Sequence, residues 1–137
     1  MDVLGKWKVV KVLKDIDFET GKKVYVTVDE AKELDEYKTR DSLLFFNTIF
    51  EYTTTGINLI MELTDEELKE LEEKQGKKLV KVEEGYIVET MPVEIIDGKY
   101  FVIEGVNQVD NSVLKHEEKI DEEGYITFML MFKLGRA

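Results

Sequence analysis

Leu4-Gly5-Lys6-Trp7-Lys8-Val9-Val10-Lys11-Val12-Leu13 decides how the rest of the chain is read. Its β-branched residues, with a tryptophan near the start, predict a strand over 4–13. Glu19-Thr20-Gly21-Lys22 reads as a turn, and 23–28 alternates Val24, Val26 and Val28 against Lys23, Tyr25 and Thr27. Over 29–38 the pattern changes: Ala31, Leu34 and Tyr37 or Lys38 have helical spacing, which predicts a short helix capped by Asp29.

Beyond it, 43–53 reads as a long aromatic strand that turns at 54–56 and returns over 57–63 as its hairpin partner. Thr64-Asp65-Glu66-Glu67 is a capping box, with Gly76 placed to end the helix it starts. Leu68 and Leu71 give that helix a narrow apolar stripe, so it is expected on the surface of a larger body. The remainder returns to β: 78–82, then 86–96, then 99–104 after the hairpin dipeptide Asp97-Gly98, with Pro92 marking a bulge or an edge. The final hairpin is read as 113–120, a turn at 121–124, and 125–134. Glu-Glu-Gly-Tyr-Ile occurs twice, at 83–87 and 122–126, each time at a hairpin turn, which is shared turn chemistry rather than a duplicated unit.

Eight to ten antiparallel strands joined by tight turns form a meander. A meander has two edges that invite aggregation unless they meet. The expected fold is therefore mainly β, an up-and-down barrel with one or two short helices, with a sandwich as its rival. The chain has 137 residues, 43% of them hydrophobic, and one proline, so 1–137 is read as one domain with a core of its own. A net charge of −11 opposes binding to nucleic-acid phosphates and anionic membrane surfaces. With no cysteine, disulfides, thiolate metal sites and cysteine nucleophiles are excluded. No apolar run approaches the ~20 residues that span a bilayer. The expectation is a cytoplasmic protein without membrane insertion, unless a targeting segment has been removed, and without metal or cofactor.

Gly5-Lys6-Trp7 resembles the Gly-X-Trp opening of the calycin superfamily, the lipocalins and fatty-acid-binding proteins, and the chain is most similar in pattern to divergent bacterial lipocalin-like domains. The resemblance implies a barrel closed at one end by Trp7, with a basic residue of the last strand packed on the indole. Arg136 and Lys133 are the candidates; Arg136 is preferred because it alternates with Phe128, Leu130, Phe132 and Leu134. A capped helix in mid-chain departs from both families. So does the absence of the Thr-Asp-Tyr motif of lipocalins and of the Arg-X-Tyr pair that holds a carboxylate in fatty-acid-binding proteins.

The run 43–52 is the richest site material, since Phe46, Phe50 and Tyr52 are expected on one face with Leu44 and Thr48. Together with Leu59, Met61 and Tyr100 they would line an apolar cavity. The leading function is then non-catalytic binding of a small hydrophobic or amphipathic ligand. A second reading is a solid-cored interaction or homodimerisation domain. A third is a small barrel enzyme using a carboxylate at the mouth or His116, whose face in a strand is shared by Glu118 and not by Glu117.

Overall fold

The computed structural model describes residues 2–137. Along the described residues run β1 (Gly5–Ile16), β2 (Lys23–Thr27), α1 (Val28–Lys32), a 3-10 turn (Asp35–Tyr37), α2 (Arg40–Phe46), β3 (Ile49–Tyr52), β4 (Gly56–Met61) and α3 (Asp65–Gln75). They continue as β5 (Val80–Val82), β6 (Gly85–Ile96), β7 (Lys99–Val106), β8 (Val113–Glu118), β9 (Ile126–Phe128) and β10 (Phe132–Arg136). All strand pairs are antiparallel, in the order β8-β7-β6-β4-β3-β1-β10-β9, with β2 added to β1 and β5 to β6. Leaving out those two short strands, sequence neighbours are sheet neighbours, which is an up-and-down arrangement. The two ends of this path, β8 and β9, meet through one isolated bridge, Ile120↔Ile126, rather than a ladder.

β1 carries the architecture. Its first half pairs with β3, its second half with β2, and its other edge with β10. Trp7, Val9 and Val12 are its buried residues. The step from alternation by two to a step of three falls at a bulge between Val9 and Lys11. One extra residue there moves the inward face from odd to even positions and lets the strand curve. Around Trp7, Val9 and Val12 pack Phe50 and Tyr52 from β3, Ile57 and Leu59 from β4, Tyr100 and Val102 from β7, and Ile126, Phe128 and Leu134 from the last hairpin. Asp97 (φ 52°) and Gly98 (φ 76°) are both left-handed, the two-residue turn that matches strand twist. Pro92 sits where β6 leaves β4 and begins to pair with β7; the bulge of β6 falls at Val88 instead.

Three readings of the sequence are corrected. The stretch 43–53 is not one strand: 40–46 is the helix α2, and only Ile49–Tyr52 is extended. Thr39 caps the helix, its Oγ1 accepting from the Ser42 amide at 3.1 Å. Phe46 then packs edge-on to Tyr37, and Phe45 reaches Phe50 and Phe132. Burial of those rings overrides their preference for strands. Nor is 125–134 one strand; it folds back at Met129 (φ 51°) and Leu130 (φ 61°). Lastly, the cap of α1 is Thr27, whose Oγ1 accepts from the Glu30 amide, and not Asp29.

Candidate functional site

The Trp7 end of the core is tied by the chain's two termini. Trp7 and Arg136 are register partners, and the guanidinium carbon lies 4.0 Å from the indole centroid. Its two terminal nitrogens donate to the Leu4 and Asp2 carbonyls at 2.7 and 2.6 Å, while Trp7 Nε1 donates to the Val3 carbonyl at 2.8 Å. Lys133 faces elsewhere, over the Tyr25 ring and onto Asp121 and Thr127. Gly5 has φ +119°, and a Cβ there would stand 2.9 Å from an Arg136 nitrogen. The glycine is what lets the guanidinium close over the tryptophan.

The structure divides the six candidate ligand-lining residues. Phe46, Phe50, Tyr52, Leu59 and Tyr100 are all buried in the central cluster. The aromatic ones pack against one another or other core rings, with centroids of Phe50 and Phe128 4.9 Å apart, Tyr52 and Tyr100 5.5 Å, and Tyr52 and Trp7 6.4 Å. Phe46, being on α2, does not share the strand face of Phe50 and Tyr52. Met61, at the end of β4, opens instead into a cleft between α2 and α3.

That cleft has a volume of about 430 Å³, and Leu44, Phe45, Met61, Leu63 and Leu71 give it an apolar floor. Its charged lining is Asp41, Glu67, Glu70 and Lys74, three carboxylates against one ammonium. Glu67 in its lining belongs to the capping box of α3. Thr64 Oγ1 accepts from the Glu67 amide and Glu67 Oε1 accepts from the Thr64 amide. The same Glu67 carboxylate takes a two-pronged ion pair from Arg40 of α2, at 2.9 and 2.8 Å, which ties α2 to α3. The Arg40 hydrogen bonds, followed by the Thr64 amide, lower the Glu67 carboxyl to about 2. Nothing in the sequence pairs Arg40 with Glu67, because the two are neighbours only after residues 43–46 coil into a helix.

A second cluster lies inside the strands. Glu118, the final residue of β8, is 3% exposed and faces Tyr52. The two groups interact, yet neither the Tyr52 hydroxyl nor Glu118 Oε2 makes a hydrogen bond of ordinary geometry among the described residues. Burial raises the Glu118 carboxyl to about 7; the Tyr52 hydroxyl works against that rise and Glu104 adds to it. Burial first, then the charge of Glu118, push the Tyr52 hydroxyl far above its ordinary value. Tyr100, beside them, is raised by burial to about 12, and its hydroxyl donates to the Thr53 carbonyl at 2.7 Å. The sequence pairs Glu118 with His116 by alternation, but His116 is exposed and does not join the cluster. Among the described residues, no three histidine or carboxylate side chains converge as a metal site, and no helix is long and apolar enough to cross a membrane.

Comparison with protein-family models, with curated proteins and with solved structures found no match.

Proposed function

We propose that this is a non-catalytic binding domain for a small amphipathic molecule, held in the cleft between α2, α3 and the end of β4. One observation carries the reading: a space of about 430 Å³ with five apolar side chains on its floor and its charges gathered in the rest of the lining. That volume lies within the range of small-molecule sites. The aromatic residues of the barrel interior support the cleft over the lumen, because their rings already fill one another's space. With Glu67 held by Arg40, the carboxylates of Asp41 and Glu70 remain against the Lys74 ammonium, and with a chain charge of −11 an apolar tail with a cationic or neutral head suits the site. An anionic head is disfavoured. The lipocalin-like ancestry suggested by Gly5-Lys6-Trp7 agrees with such a role but rests on those residues and on Arg136.

The test is calorimetric titration with a decylammonium salt and with decyl sulfate, each below its micelle concentration. Saturable binding of the ammonium, weaker binding of the sulfate, and loss of both in Leu71→Glu are expected. Equal binding of the two, or ammonium binding that survives Leu71→Glu, would sink the reading.

A solid-cored interaction domain is the second reading. It is favoured by Met129, Leu130 and Met131, which stand 68, 55 and 43% exposed on one strained turn.

A further inference from the structure

The turn closed by Asp121 and Tyr125 joins β8 to β9 at Ile120↔Ile126, and upstream of that turn β8 has a paired strand on one side only. Its six register pairs, from Tyr100↔Glu118 to Val106↔Val113, are all with β7. Among the described residues no strand pairs with its other edge over 113–117. An open edge presents unpaired amides and carbonyls, a template for another strand. The side chains there are apolar and in water: Val113 and Leu114 are each 47% exposed, and Val106, the register partner of Val113, is 52% exposed. We propose that this edge is a self-association surface, on which β8 of a second copy pairs antiparallel across a two-fold axis at His116. The proposal stands apart from the cleft and does not depend on it.

Charge selects both the occupant and the register. The chain carries −11, yet residues 105–116 hold one aspartate and one lysine, so two copies meet there without the repulsion of the rest of the surface. Side chains alternate between faces, so a two-fold pairing that keeps the faces matched has its axis at a residue and not between residues. An axis at Lys115 opposes two ammoniums, and one at Glu117 opposes two carboxylates. An axis at Leu114 pairs no charges. With the axis at His116, Lys115 lies opposite Glu117 of the second copy, and symmetry repeats the contact on the other side. The ion pairs already present are kept. Lys115 is 3.6 Å from Glu94 and Lys119 is 3.6 Å from Glu117, so each new contact joins two pairs into a row of alternating sign. Val113 then falls opposite Lys119 of the second copy, whose aliphatic stem shields it from water.

The measurement is sedimentation velocity of the intact protein over a concentration series, and a dimer is expected. Lys115→Glu sets like charges opposite one another twice, and is expected to raise the dissociation constant on the order of 10-fold. Adding Glu117→Lys to it restores opposite charges and is expected to recover most of the loss. The chain has no cysteine, so a single introduced thiol reads the register directly. Directly opposed residues of antiparallel strands lie within disulfide reach. His116→Cys is therefore expected to give a covalent dimer on oxidation with copper phenanthroline, and Glu66→Cys on α3 is not. A monomer at every concentration, or a trimer or larger species, overturns the proposal. So does a dimer indifferent to Lys115→Glu, or the absence of a cross-link in His116→Cys. A dimer lost in Leu130→Asp and kept in Lys115→Glu overturns it as well, and moves the contact to the exposed turn at 129–131.

Discussion

Trp7 shows how much one residue can carry. It is fully buried, its Nε1 is satisfied by the Val3 carbonyl, and its indole is covered by Arg136. Trp7→Ala is expected to cost about 3–5 kcal/mol in urea unfolding, through lost burial and the cavity left behind. Arg136→Ala is expected to cost about 1–2 kcal/mol. Arg136→Lys should recover little of that loss, because one ammonium cannot reproduce two terminal nitrogens on two carbonyls while stacking on a ring. Gly5→Ala belongs with them, since it strains φ +119° and pushes the guanidinium off the indole. These residues are legible in the sequence because tryptophan, glycine and arginine have narrow physical uses. Glu118 is not legible in the same way. Alternation gives it a face, but only the packing of β3 and β7 around β8 shows that the face is closed to water and that His116, two residues away, is open to it.

At the level of elements, legibility follows local chemistry. The helix α3 can be read in advance because its capping box and its terminal Gly76 are local devices that need no partner. Asp97-Gly98 is another such device. The helix α2 escapes a local reading because Leu43-Leu44-Phe45-Phe46 suits a buried strand as well as a helix, and distant rings decide between them. The turn at Met129-Leu130 escapes for the opposite reason. Its geometry is the one Asn-Gly prefers, while its residues are among those least suited to positive φ. Replacing the pair by Met129→Asn with Leu130→Gly should therefore stabilise the β9–β10 hairpin by about 1 kcal/mol, read as a raised urea midpoint at unchanged slope. A lowered midpoint would show that those exposed apolar side chains contribute more to the fold than the strain removes.

For the whole molecule, the pH dependence of stability has a fixed sign. Folding raises the Glu118 carboxyl from 4.5 to about 7, so the folded state binds that proton more tightly than the unfolded one. The associated stability is fully present below about pH 4.5 and is lost as the pH climbs through 7, a change of about 3 kcal/mol at most. Glu67 works the other way: its carboxyl is lowered on folding, so its contribution is present above about pH 4.5 and fades as the pH falls toward 2. Unfolding free energy measured from pH 4 to 8 should therefore decline on the alkaline side in the wild type and flatten in Glu118→Gln. A wild-type profile rising across that interval would contradict the burial described for Glu118. The whole fold was more legible than its clefts, because most strands and turns such as Asp97-Gly98 are written in local patterns, while Arg40 meeting Glu67 depends on how helices settle afterwards.

The pairing of β1 with β10 also dictates a schedule. Of the ten strands β1 is made first and β10 last, so one side of the founding strand stays bare while every other strand is synthesised. The β1–β10 pairing is then a late, long-range event that local hairpins cannot hasten. Until β10 is made, the growing chain carries an open, hydrogen-bond-hungry edge on β1. The only tryptophan sits at that junction, so its emission offers a natural clock for when the two ends of the chain find each other.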